Sequence, residues 1–130
     1  MRAVANTLSQ ITGQMTVATM NEHTSHHAGT GNLILQPDFF GDDEVRQALA
    51  HMVNRVEVIV RDLFRDLPHE PQVLIGRDSP FGKGMASMVV KFHLPNGHSA
   101  LLCIVGPMRM NYSRNFALLE RAAELLNEKE

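Results

Sequence analysis

The chain has 130 residues, a length typical of one domain, and 44% of them are hydrophobic, so the sequence predicts a folded core spanning residues 1–130. Twelve basic and fourteen acidic residues give a formal net charge of −2, which by itself does not favour a nucleic-acid-binding protein. The single cysteine, Cys103, excludes a disulfide framework within one chain and predicts a cytoplasmic protein. No apolar run approaches the roughly 18 residues that span a membrane, so no membrane association is expected.

The first third of the sequence predicts a short helix followed by one strand. Residues 3–11 carry a helical pattern that Gly13 ends, and Met15–Met20 alternate as a strand does. Residues 21–32 are polar and rich in Gly, His and Thr, which indicates a loop. Leu33–Leu35 form a short apolar segment after that loop.

A long amphipathic helix is predicted next. Acidic residues at its start, Asp42, Asp43 and Glu44, favour the helix dipole, and Pro68 and Pro71 end the helix. At about 24 residues the helix would be roughly 36 Å long, so its apolar stripe either packs entirely on the domain's own sheet or partly faces another subunit. The stripe consists of Val45, Leu49, Met52, Val56, Ile59 and Leu63.

The second half of the sequence predicts three strands and a final helix. A hairpin turn at Pro95-Asn96-Gly97 joins the last two strands, and Asn111 is a suitable N-cap for the helix. The predicted strands are residues Gln72–Gly76, Met85–Leu94 and His98–Val105. Together these elements predict an α+β domain, with an antiparallel sheet flanked by helices.

Histidines form the first candidate site. His23, His26 and His27 make an H-x-x-H-H cluster, and neutral imidazoles bind zinc, nickel or copper. The alternative is a solvent-exposed loop without a metal, because no cysteine or paired carboxylate supports the cluster. A second pair, His93 and His98, flanks the hairpin turn and is expected to face across it as a pH-sensitive pair or to lie separately on the surface.

The segment from Gly106 to Arg114 is the second candidate site, for a ligand or partner. A strand ends there and a helix begins, and helix N-termini attract anions through their free N–H groups. Arg109 and Arg114 would add charged donors beside Tyr112. In the alternative interpretation Arg109 pairs with an acid of the same chain and Tyr112 packs against the sheet. Because no nucleophile elbow or phosphate-binding loop is present, the sequence predicts neither an enzyme nor a cofactor.

Four segments, in the same order along the chain, resemble segments of the heat-inducible transcription repressor family HrcA. The stretch from Val105 to Arg114 resembles the family's I-G-P followed by T-R-M-D-Y-x-R, with Met108 in place of Thr and Asn111 in place of Asp. The other three are Leu8–Gly13, which resembles L-S-x-L-T; Gly29–Phe39, which resembles G-x-x-N-L-L-x-Q-P-E/D-F; and Gln72–Asp78, which resembles V-x-I-G-x-E.

The resemblance implies the GAF-like regulatory domain of a dimeric repressor of chaperone operons, whose activity depends on the chaperonin GroEL. The alternative is a stand-alone GAF-like sensor of a small anionic ligand. No segment corresponds to the family's winged-helix domain, so DNA contact is expected only through a domain outside this sequence.

The span that corresponds to Met20–Ala28 is much longer in the family, which predicts a reduced sheet here. We expect the strand edge exposed by that reduction to be closed by dimerisation or by Leu33–Leu35.

Overall fold

The computed structural model describes residues 2–21, 24–35, 43–75, 80–81 and 84–129. The helices in these ranges are α1 (Arg2–Thr12), α2 (Thr30–Ile34), α3 (Asp43–Asp66) and α4 (Tyr112–Lys129). The strands are β1 (Met15–Thr19), β2 (Ser25–Ala28), β3 (Gln72–Ile75), β4 (Met85–His93) and β5 (Ser99–Pro107). None of the described helices is long and apolar enough to cross a membrane.

The five described strands form one antiparallel sheet in the order β2-β1-β5-β4-β3. The central strand β5 pairs with β1 and β4, so that Cys103 lies opposite Val17 on one side and Val89 on the other. Residues 101–105 of β5 are fully buried, which explains the continuous apolar run in this part of the sequence.

Helices cover both faces of the sheet and enclose two apolar cores. Leu101 and Cys103 of β5 face the core beneath α2 and α3, whereas Leu102 and Ile104 face the core beneath α1 and α4. Because successive strand residues point to opposite faces, one apolar strand supplies both cores. The predicted α+β class, with an antiparallel sheet flanked by helices, is confirmed.

The apolar stripe of α3 packs on the domain's own sheet. The helix has the predicted 24 residues, and its described stripe residues belong to the adjoining core, with Ile59 only partly buried. The Val45 side chain lies outside the described residues. Val58, on the outer face, is 41% exposed. Most of the described stripe thus packs within one chain, and contact of its remaining part with another subunit stays a prediction.

For residues 21–35 the structure overturns the predicted loop and excludes one of the two ways in which the strand edge was expected to be closed. The expected loop contains strand β2 and the start of α2. The sequence conceals β2 because a four-residue, half-exposed edge strand needs few apolar residues. Leu33 ends up fully buried on the sheet face in the core beneath α3, so Leu33–Leu35 do not cover a strand edge.

Candidate site at the β5–α4 junction

The junction between β5 and α4 begins with a close contact at Gly106. A Cβ atom at this position would lie 2.5 Å from Gln14 Oε1 and 3.0 Å from Gln14 Cδ. The end of β5 therefore packs against the Gln14 side chain, which would have to move if residue 106 had a Cβ atom. One tight turn follows, in which the Met110 N–H donates to the Pro107 carbonyl over 3.1 Å.

Asn111 begins helix α4 as predicted. Its side-chain oxygen accepts a hydrogen bond from the Arg114 N–H over 3.1 Å, the geometry of an N-cap. This bond occupies one of the free N–H groups on which the expectation of an anion site depended.

Tyr112 lies half-buried against the core beneath α1 and α4. Its hydroxyl donates to the Met108 carbonyl over 2.5 Å, and burial raises the pKa of the phenol above its ordinary value. The ring thus packs on the core, as expected in the alternative interpretation in which Tyr112 packs against the sheet.

Arg114 joins two distant parts of the chain. Its guanidinium donates over 2.8 Å to the Ile11 carbonyl in the last turn of α1, 103 positions away in the sequence. Carbonyls at a helix C-terminus lack partners within the helix, so Arg114 satisfies one of them. Arg109 is exposed in the turn before α4. Ligand binding by Arg109, Tyr112 and Arg114 stays a prediction, and two of these side chains have a structural role.

Gln14 is a junction residue that the sequence analysis missed. Its Oε1 is buried without a hydrogen-bond partner among the described residues, next to Gly106. Nearby, Asn115 is 2% exposed and its amide nitrogen lies 3.4 Å from the Met110 sulfur, a weak acceptor. No local pattern marks Gln14, because its contact arises from the pairing of β1 with β5.

Two of the three clustered histidines, His26 and His27, lie on a strand and not in a loop. His26 and His27 are neighbours on β2, opposite Ala18 and Val17 of β1, so their side chains point to opposite faces of the sheet. His23 lies outside the described residues. The described part of the chain contains no group of three side chains that could hold a metal ion. A metal site at these three histidines stays a prediction, and the alternation within β2 gives it no support.

Of the two alternatives for His93 and His98, the structure excludes the pair facing across the hairpin. The hairpin register places Ser99 opposite His93, and His98 lies beyond the end of β5. His93 stacks instead on His69, which follows α3, with ring centroids 4.0 Å apart. The sequence could not indicate His69 as the neighbour of His93, because their contact depends on how the α3–β3 connection packs on the hairpin.

An open groove of about 340 Å³ runs between α1 and α4. Its lining is mainly aliphatic, including Leu8, Ile11 and Leu125. Arg121 at the rim pairs with Glu124 over 3.1 Å. The groove is separate from the three candidate residues of the junction.

Comparison with known proteins agrees with the fold and the junction. The sequence profile of the HrcA protein C terminal domain matches residues 21–115, which include the whole turn before α4. The heat-inducible transcription repressor HrcA of Listeria monocytogenes is 29% identical over 105 residues, covering 79% of this chain and 30% of the repressor. The corresponding repressor of Listeria welshimeri is 28% identical over the same length and coverage. The chain thus spans about 30% of the length of these relatives.

Solved structures show the same fold at low identity. A protein described only as hypothetical, solved at 2.2 Å resolution, superposes with a TM-score of 0.60 at 19% identity, over 80% of this chain and 31% of that one. A transcriptional regulator assigned to the IclR family, from Silicibacter sp. TM1040, gives 0.53 at 18% identity, over 98% of this chain and 64% of that one. The profile match covers more than half of the chain. The chain therefore belongs to the family of the HrcA protein C terminal domain.

Proposed function

We propose that this chain is the regulatory and dimerisation domain of a heat-inducible repressor that controls chaperone operons. The observation that carries the proposal is the profile match over residues 21–115, which contain strands β2 to β5. In this function the domain contacts DNA only through a winged-helix domain, and its activity responds to the chaperonin GroEL.

The contacts at the β5–α4 junction support the proposal. Gly106 and Asn111 lie in the segment that resembles the family, and each has a defined contact in this fold. Arg114, in the same segment, ties α4 to the end of α1. The residues of this segment therefore have structural contacts that account for their presence in a domain of this family, without a bound ligand.

A chimaeric repressor tests the function. The matching part of the Listeria monocytogenes repressor is replaced by this chain, and a reporter under a chaperone-operon promoter is measured before and after heating. We expect repression at the growth temperature and release on heating. The control is the same repressor with the matching part deleted. A chimaera that accumulates in folded form but represses no better than the deletion contradicts the proposal.

Dimerisation is tested separately on the chain itself. Sedimentation equilibrium at micromolar concentrations should give twice the monomer mass. A monomer throughout that range would contradict the dimerisation part of the proposal, while the reporter assay would still decide whether the chimaera represses.

The response to the chaperonin is tested with a gel-shift assay. Purified GroEL added to the chimaera should raise its operator occupancy, and an unchanged occupancy would contradict the chaperonin part of the proposal.

A further inference from the structure

Two stacked imidazoles lie at the hairpin end of the sheet, away from the β5–α4 junction. The rings of His69 and His93 are 4.0 Å apart at their centroids and inclined by only 9°. His69 Nε2 also lies 2.8 Å from the Ser99 hydroxyl, within hydrogen-bond distance. Because His93 and Ser99 are directly opposite each other in the β4–β5 pair, His69 contacts both strands of the hairpin at once.

A second contact between β4 and the same connection lies two residues earlier, at Leu67. Lys91 is only 9% exposed, and its ammonium donates to the Leu67 carbonyl over 3.2 Å. The ammonium is also 5.3 Å from the centre of the Phe64 ring, close enough for a cation–π contact. Lys91 and His93 are two residues apart on β4, so their side chains leave the same face of the sheet. Together they hold the chain that leaves α3 against the hairpin.

A positive charge lies close to the two imidazoles. Lys91 is two residues from His93 on β4 and acts electrostatically on His69. The carboxylates of the α3–β3 connection have other partners: Asp66 pairs with Arg65 over 3.1 Å, and Glu70 accepts from Gln72 over 3.4 Å.

The pKa of His69 reflects this environment. Desolvation lowers it below the ordinary value of 6.5, and the nearby His93 and Lys91 lower it further.

We propose that the stacked imidazoles of His69 and His93 form a pH-sensitive clasp, which holds the α3–β3 connection on the β4–β5 hairpin while His69 is neutral and releases it when His69 is protonated. A positive charge on the stacked His69 ring is partly desolvated and lies near Lys91, and no carboxylate among the described contacts of the two rings compensates for it. The proposal stands independently of the repressor function.

The direction of the pH dependence follows from the lowered pKa of His69. Folding lowers the pKa of His69 below its value in the unfolded chain. At a pH above the unfolded-state pKa the imidazole is neutral in both states, so it does not reduce the free energy of unfolding. As the pH falls from about 6.5 through the folded-state pKa, the unfolded state binds the proton more readily and stability is lost. We therefore expect the clasp to be closed at pH 7.5 and to open in mildly acidic solution.

The test combines imidazole NMR titration with amide hydrogen exchange on the whole chain. We expect the protection factors of the amides within residues 67–72, which are Leu67, His69, Glu70 and Gln72 because 68 and 71 are prolines, to fall about threefold or more between pH 7.5 and pH 5.5. In His93→Gln the pKa of His69 should rise only part of the way toward its ordinary value, because desolvation and Lys91 still lower it, and the pH dependence of protection should become weaker. The matched control is His51→Gln, at an exposed position on α3, which should behave as the unsubstituted chain does.

Two results would overturn the clasp. One is equal protection of residues 67–72 at both pH values in the unsubstituted chain. The other is a pKa of His69 that does not change when His93 is replaced. The first measurement needs no substitution, so the proposal remains testable even if His93→Gln fails to fold.

Discussion

At the scale of single residues, two glycines allow backbone segments to approach each other. Gly29 precedes α2 with φ of +82°, and a Cβ atom there would lie 2.0 Å from Ser9 Oγ and 2.6 Å from the Gln14 carbonyl. The second of these atoms belongs to the backbone and cannot swing aside. Gly106 meets the side chain of the same Gln14, which can move. Both glycines contact Gln14, in the turn between α1 and β1. A side chain is tolerated less at position 29, because the atom it would meet there belongs to the backbone.

Replacing Gly29 with Ala should therefore lower the free energy of unfolding. We expect a loss of about 2 to 4 kcal/mol, from the left-handed backbone and the overlap with Gln14. The control is Gly31→Ala, two residues later in α2, where a Cβ atom meets nothing within 4 Å. That change should be neutral or should stabilise by up to about 1 kcal/mol. Urea unfolding followed by circular dichroism measures both, and equal effects would contradict the steric argument.

At the scale of secondary-structure elements, α4 depends on its first turn and on one face. The face is apolar, with Leu119 and Ala123 buried and Phe116 partly buried against the core. Its first turn is fixed by Asn111, whose side chain accepts the Arg114 N–H. Since Arg114 in turn binds the end of α1, the cap also places the residue that links the two helices.

The cap predicts different results for two substitutions of Asn111. Asn111→Ala removes the acceptor and should destabilise the domain by about 1 kcal/mol. Asn111→Asp keeps the acceptor, adds a negative charge at the helix N-terminus and should be neutral or slightly stabilising, by up to about 1 kcal/mol. Thermal unfolding of the two variants measures the difference. If the aspartate variant were as unstable as the alanine variant, the side chain of residue 111 would not act as a cap.

At the scale of the whole molecule, the sheet separates two cores, and Cys103 lies at its centre. The side chain is fully buried on the central strand β5, in the core beneath α3. Burial raises the pKa of the Cys103 thiol well above its ordinary value, because the apolar core disfavours the thiolate. The thiol is therefore protected by both its protonation and its position.

Thiol labelling of Cys103 should report global unfolding. A disulfide reagent at pH 8 should leave the native chain unlabelled for as long as it stays folded, because only unfolding of the central strand exposes the sulfur. In concentrated guanidinium chloride the same chain should react completely within the mixing time. The labelling rate should rise in a destabilised variant such as Gly29→Ala, because global unfolding becomes more frequent. Rapid labelling in native buffer would show that β5 opens locally.

Patterns that span a few residues predicted much of this fold. The apolar periodicity of α3 gave its length and buried stripe, and the Asn96-Gly97 turn gave the β4–β5 hairpin. Asn111 was expected as the N-cap and is one. Each of these features depends on interactions between near neighbours in sequence, which composition and spacing express directly.

Contacts between distant residues were decided only by the tertiary structure. The sequence by itself determined the α+β class, the main strands and helices, and the segments that resemble the repressor family. It did not determine β2, the bond from Arg114 to Ile11 or the stack of His69 on His93. An edge strand forms because its neighbour offers free backbone groups, and a side chain selects its partner from whatever the folded backbone brings near. Edge-strand pairing and long-range side-chain contacts leave no local pattern in the sequence, because both depend on how the sheet and helices pack together.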